Sequence, residues 1–154
     1  MKENYLYDNK WNGKGYDKNG NIIYELINGN GKAKEYWNND KLSFEGEYLN
    51  GKRNGKGKEY YYDGKLIFEG EYLNGKRNGK GKEYYKDILI YEGEYLKGKR
   101  NGKGKEYDGY NDILIFEGEY LNGERNGKGK EYYDMSNVEF EGEYKNGERM
   151  GIES

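Results

Sequence analysis

Phe44 to Phe68 reads FEGEYLNGKRNGKGKEYYYDGKLIF, and this stretch decides the fold. Its opening, FEGEYLNGKRNGKGKEYY, returns unchanged from Phe68. Close copies begin at Tyr91, Phe116 and Phe140, at spacings of 24, 23, 25 and 24 residues. Degenerate copies precede these, YELINGNGKAKEYW from Tyr24 and WNGKGYD from Trp11. Self-similarity at a fixed period of this length is the signature of a repeat architecture, in which each unit buries its apolar face against its neighbours.

Each unit carries two turn signals. One is Asn-Gly, at 28–29, 50–51, 74–75, 122–123 and 146–147, with Lys97-Gly98 in one unit; the other is Asn19-Gly20, Asp63-Gly64 or the longer 134–137 segment. Such pairs supply the positive φ that tight hairpins require. Between the turns Leu66, Phe68, Gly70 and Tyr72 alternate with Ile67, Glu69, Glu71 and Leu73, setting an apolar face against a mainly acidic one. That alternation marks a half-buried strand, and KGKEYY from Lys56 forms its partner. A helix is excluded by the glycines, each of which costs about 1 kcal/mol in a helix interior. The sequence therefore predicts an all-β fold, an elongated single-layer antiparallel sheet of tandem β-hairpins in which each unit advances by roughly 10 Å. One array covers 1–154, degenerate over 1–43, regular over 44–149 and truncated over 150–154. Gly46, Gly70, Gly93, Gly118 and Gly142 sit between aromatic residues. A strand glycine needs a close approach to justify it, so a neighbouring Tyr ring is expected across each.

Composition agrees with a thin structure. Leu, Ile, Val and Phe together number only 24 of 154 residues, a level that signals disorder when net charge is high. Here the net charge is −2, and 20 Tyr and 2 Trp supply rings that bury a large surface while keeping a polar edge wet. The absence of Cys excludes disulfides and thiolate metal sites. Without His, Cys or Thr, and with Ser only at 43, 136 and 154, nucleophilic catalysis lacks its residues. The Glu45/Glu47 carboxylate pair and its copies recur among Lys residues, which reads as a solvated face with cross-strand pairing. Asp17–Asn21 fails the spacing of a calcium loop, and GKRNGKGK fails the phosphate-loop pattern. No catalytic, cofactor or metal site is expected. The N-terminus lacks a signal-peptide pattern and the Ile88–Tyr91 apolar run is far below the roughly 20 residues of a membrane span, so a cytoplasmic location, peripheral to membranes as an alternative, is expected.

The unit resembles the MORN repeat, whose pattern is an aromatic, Glu-Gly-Glu, an aromatic, Asn-Gly, a basic pair, Gly-x-Gly and Tyr. Phe68-Glu69-Gly70-Glu71-Tyr72, Asn74-Gly75-Lys76-Arg77 and Gly79-Lys80-Gly81 carry the likeness. Lys58 to Tyr72, KEYYYDGKLIFEGEY, is also similar to the variant repeat of antitoxin-like bacterial proteins. The resemblance implies an extended antiparallel sheet and roles in scaffolding, in protein contact and, in some members, at membranes.

Two candidate surfaces follow. The first is an aromatic face of Tyr48, Tyr72, Tyr95, Tyr120 and Tyr144 on one strand and Tyr60, Tyr84, Tyr107 and Tyr132 on the other, suited to gripping a protein. The second is a basic rim of Lys52, Arg53, Lys76, Arg77, Lys99, Arg100, Arg125 and Arg149, recurring along one long edge. Such a rim suits anionic lipid headgroups, at about 1 kcal/mol per Lys or Arg. A non-catalytic scaffold for a protein partner is the leading expectation, with a peripheral membrane adaptor and an antitoxin-like neutralising protein as alternatives. Nucleic acid is not expected, because the chain is slightly acidic and interleaves Glu with Lys. No oligomeric state follows from the sequence.

Overall fold

The computed structural model describes residues 4–6, 9–134 and 137–151; Ser136, Ser154 and the last copy beyond Gly151 lie outside them. The chain divides into two compact units, Met1–Lys76 and Arg77–Ser154, a boundary that the repeat pattern does not announce. The first carries β1 (Asn4–Leu6), β2 (Asn9–Tyr16), β3 (Ile22–Ile27), β4 (Asn30–Tyr36), β5 (Leu42–Leu49), β6 (Lys52–Tyr60) and β7 (Leu66–Leu73). The second carries β8 (Lys76–Tyr85), β9 (Ile88–Leu96), β10 (Lys99–Tyr107), β11 (Leu114–Leu121), β12 (Glu124–Tyr132), β13 (Val138–Lys145) and β14 (Glu148–Arg149). Within each unit every strand pairs antiparallel with its sequence neighbour, in a single layer. The expected all-β hairpin architecture is the one observed.

The two edges of each sheet are built differently. On one, the Asn-Gly turns are always two residues long, with positive φ at both, as at Asn50 (52°) and Gly51 (76°). Paired positive φ is the mirror-image turn whose twist matches the flanking strands. These turns also dock on the hairpin before them. Gly75 donates its N–H to the Arg53 carbonyl at 2.9 Å, and Gly123 does so to Arg100 at 2.8 Å. The backbone N–H groups of Lys97 and Asn122 reach the side-chain oxygens of Asn78 and Asn101 at 3.1 and 3.2 Å. On the other edge the connections vary, from the two residues Lys86-Asp87 to the stretch 108–113.

A bulge breaks each regular hairpin just after its turn. Tyr48 pairs with Arg53 and Gly46 with Gly57, which leaves Asn54, Gly55 and Lys56 facing Glu47 alone. Gly55 takes the positive φ this requires, 93°. Glu47 then accepts the freed N–H of Lys56 at 2.6 Å, as Glu94 and Glu119 do for Lys103 and Lys128 at 2.6 and 2.8 Å. The second Glu of Glu-Gly-Glu is thus a plug for unpaired backbone, a role that the expected solvated face with cross-strand pairing did not include. A charged acceptor on a backbone N–H is among the stronger hydrogen bonds.

The core is a row of rings lying over glycines. A Cβ on Gly57 would stand 2.7 Å from the Phe44 ring and 3.0 Å from Tyr72, so only glycine fits. The covering ring differs from the expected neighbouring Tyr. Over Gly46 and Gly118 it is Phe44 or Phe116, the aromatic two residues earlier in the same strand; Gly57 lies under Phe44 of the adjacent strand, and Tyr72 closes in from the next hairpin. Phe44 meets Tyr72 edge to face at 5.3 Å and 83°, and Phe116 meets Tyr144 at 5.2 Å and 81°. Phe44, Phe68, Tyr91 and Phe116 reach 0% exposure in this way. Burial of such a ring is worth about 1.5–3 kcal/mol, and the edge-to-face pair adds about 0.5–1.5 kcal/mol. In the degenerate hairpin β3–β4, Leu26 and Ala33 take the Tyr and Gly places and are also buried.

Candidate functional site

Strand alternation sends the chemistry-bearing residues to two faces, and each face uses them differently. On the ladder face Arg53 is the cross-strand partner of Tyr48, so its guanidinium falls across the Phe44 ring, 3.9 Å from the centroid. Arg100 lies 4.0 Å over Tyr91 and Arg125 4.0 Å over Phe116. Each arginine then pairs with a glutamate of the preceding hairpin: Arg53 with Glu35 at 2.7 Å, Arg100 with Glu83 at 2.9 Å, Arg125 with Glu106 at 2.9 Å. The same carboxylates accept the phenol protons of Tyr48, Tyr95 and Tyr120, while Tyr72 donates to Glu59 and Tyr144 to Glu131.

The electrostatics of this ladder are locked. Burial pushes the Glu83 and Glu106 carboxyls up, but hydrogen bonds from Arg100 and Tyr95, and from Arg125 and Tyr120, more than reverse that and hold both below the usual range. For Glu131 the hydrogen bond from Arg149 leads, with the same net direction. Burial first, and the bonded carboxylate second, drive the Tyr95 and Tyr120 phenols far above their ordinary value. The carboxylates are thus held ionised and the phenols protonated, each pushed away from the neutral range in which general acid–base transfer works best.

The nine tyrosines singled out from the sequence do not form one exposed face. Tyr48, Tyr72, Tyr95, Tyr120 and Tyr144 are buried in the ladder. Tyr60, Tyr84, Tyr107 and Tyr132 stand half-buried on the opposite face. There Tyr60 donates to Glu45 at 2.6 Å and Tyr107 to Glu92 at 2.6 Å, while Lys130 pairs with Glu141 at 3.4 Å. Burial raises the Tyr107 phenol to about 12, with the Glu92 bond adding to it.

The basic rim also divides. The turn occupies only Asn50-Gly51, so Lys52 and Arg53 are already strand residues and point to opposite sides. Lys52, Lys76 and Lys99 are exposed at the edge. Arg53, Arg100, Arg125 and Arg149 are drawn onto the rings instead, and Arg77 is half-buried at the equivalent place. What patterning did not single out is the row of leucines before the turns. Leu49 and Leu73 in the first unit are 47% and 49% exposed, and Leu96 and Leu121 in the second 48% and 50%. Period-two alternation from buried Tyr48 would have placed Leu49 outward, beside Lys52, with which it pairs.

Among the described residues no cluster of metal-ligating side chains occurs, and no helix is long and apolar enough to cross a membrane. Antiparallel hairpins with an aromatic-over-glycine core, an arginine–glutamate ladder and docked Asn-Gly turns define a β-hairpin repeat protein. The chain belongs to the MORN repeat family, whose profile matches residues 44–65, 68–87, 91–109, 116–138 and 140–152. That family is a non-catalytic repeat associated with scaffolds that contact proteins or membranes. No match to the chain is found among curated proteins.

Proposed function

We propose that the chain is a non-catalytic scaffold that holds a protein partner on the face opposite the ladder. The leucine row supports this reading: a large aliphatic side chain stands about half exposed at the same place in successive hairpins, in a chain with few aliphatics. Leu49 pairs with Lys52 and Leu96 with Lys99, an apolar line with a charged border. Regular exposed apolar surface with a polar rim is the anatomy of an interface.

The test is a photo-crosslinking residue at Leu96 in the full chain, with the same residue at Tyr133 as the reference. A protein crosslinked from Leu96 alone is then purified and titrated. Leu96→Ser with Leu121→Ser, both in the second unit, should weaken binding at least about tenfold, with an unchanged unfolding midpoint. Equal crosslinking from both positions, or unchanged affinity, overturns the reading.

The exposed Lys52, Lys76 and Lys99 favour a second reading, attachment to anionic membranes. Withdrawal of Arg53, Arg100, Arg125 and Arg149 onto rings and ion pairs removes four of the eight charges such a rim was expected to present. Salt-sensitive co-sedimentation with phosphatidylserine vesicles, lost on replacing the three lysines by Ser, would support it. An antitoxin-like role rests on the repeat variant at 58–72 and predicts a toxic neighbouring gene whose effect this chain relieves on co-expression.

A further inference from the structure

From the aromatic residues that crowd the variable edge of the first unit, we infer that the Trp37–Tyr62 corner is a binding site for a neutral, linear β-linked oligosaccharide. Two successive loops, 37–41 and 61–65, meet there. Trp37 is 40% exposed and Tyr62 54%, their ring centroids 6.1 Å apart with planes tilted by 55°.

The corner is built. Trp37 donates its indole Nε1–H to the Tyr60 carbonyl at 3.1 Å, Asn39 donates its amide to the Tyr62 carbonyl at 3.0 Å, and Lys41 donates Nζ–H to the Asp63 carbonyl at 3.2 Å. Three side chains of one loop brace the backbone of the next, and the indole has its only donor satisfied. The indole is thus held in water by a polar contact at its edge, and the backbone that carries Tyr62 is braced beside it. An exposed aromatic face held rigid is a surface whose ordering cost has already been met.

Charge and chemistry choose the occupant. In these loops Asp40 and Asp63 are balanced by Lys41 and Lys65, so no net field selects a cation or an anion. A methylated ammonium would meet the Lys41 ammonium, and a nucleic acid would need several phosphate-binding cations, whereas Lys41 is turned onto a carbonyl. A pyranose ring matches what is present. Its apolar C–H face stacks on an aromatic ring, and its hydroxyl rim takes the amide and carboxylate groups of Asn38, Asp40 and Asp63, all exposed beside the rings. The two rings, 6.1 Å apart and tilted by 55°, form an angled aromatic surface against which successive residues of a linear chain can stack.

The experiment is calorimetric titration of the full chain with cellohexaose and with chitohexaose, alongside tryptophan fluorescence. Saturable binding of at least one is expected, with a change in indole emission. Trp37→Ala and Tyr62→Ala should each weaken it about tenfold or more, while Tyr62→Phe, which keeps the ring, should retain it. Because Trp37→Ala also removes a loop hydrogen bond, Tyr62→Ala carries the decision, its fold checked by urea unfolding. No binding of either sugar at millimolar concentration overturns the inference, as does binding that Tyr62→Ala leaves unchanged. Saturation by a trimethyllysine peptide in place of the sugars assigns the corner to a cation and also overturns it. None of these outcomes bears on the leucine row, which lies at the opposite ends of the strands.

Discussion

At the scale of the residue, the ladder depends on side chains that are absent. A Cβ on Gly104 would stand 2.6 Å from the Tyr91 ring. Gly104→Val should therefore cost about 3 kcal/mol in urea unfolding even though Val favours strands, because an overpacked core must shift. Lys105→Val, one residue along and exposed on the opposite face, should change stability by no more than about 0.5 kcal/mol. Equal effects would remove the ring-over-glycine account. Arg100 provides a second residue-scale case. It stacks on Tyr91 and reaches Glu83 with two donors at 2.9 Å each, a fork that lysine cannot copy. Arg100→Lys should lower stability by about 1–3 kcal/mol.

Acid and alkali should act on the same groups with opposite signs. The folded values of Glu83, Glu106 and Glu131 are depressed, so their contribution is complete above the ordinary carboxylate range and is lost as pH falls through the depressed values. The folded value of Tyr107 is raised to about 12, so its contribution is complete below the ordinary phenol value near 10 and is lost as pH climbs toward 12. The thermal midpoint should be flat between about pH 6 and 9 and fall on both sides. A midpoint that rises on acidification below about pH 4 would contradict the ladder.

At the scale of the element, the hairpin with its bulge is the unit that repeats. Glu94 holds the Lys103 N–H at 2.6 Å inside that bulge. Glu94→Ala should cost about 1–2 kcal/mol, more than an exposed strand position normally does, because it leaves a backbone donor unpaired. Hydrogen exchange at Lys103 should quicken more than at Lys105. Much at this scale was legible in the sequence. Asn-Gly pairs announced the tight turns, and the alternation around Phe68 announced the strands and their two faces. The bulge was not, because Asn54, Gly55 and Lys56 are chemically plausible strand residues and only the register against Glu47 reveals the extra ones. The arginines were misplaced for a related reason. Placing Lys52 and Arg53 together on one rim hid the alternation that separates them. The leucines before the turns were passed over because a lone exposed Leu is unremarkable; only their recurrence on one face makes them a surface.

At the scale of the whole molecule, burial is shared between hairpins. Tyr91 reaches 0% exposure because Tyr120, in the hairpin after it, meets it at 5.3 Å and 84°, and Phe116 depends in the same way on Tyr144. A single hairpin cannot close its own core, and stability should grow with copy number as in other nearest-neighbour arrays. Fragments 88–108, 88–134 and 88–151 should be unfolded, marginal and folded respectively, by circular dichroism and thermal melting. A folded 88–108 would show that the hairpins do not depend on one another.

The unequal edges have a consequence for how such a gene can change. Every Asn-Gly turn is two residues long, and those at 50–51, 74–75, 122–123 and 146–147 are hydrogen-bonded to the hairpin before them, whereas the opposite connections run from two residues to six. The 23- and 25-residue spacings arise at Lys86-Asp87 and at 108–113, on that second edge. Small insertions and deletions are therefore filtered by side: a codon gained between Tyr107 and Leu114 lengthens a loop, while one gained beside Gly123 pulls a turn off its Arg100 carbonyl and flips the side chains that follow. Recombination between copies, cutting anywhere within the unit, restores the register whenever it removes or adds a whole period. Lineages carrying this gene should accordingly differ in the number of units and in the lengths of these loops, with every Asn-Gly turn kept at two residues.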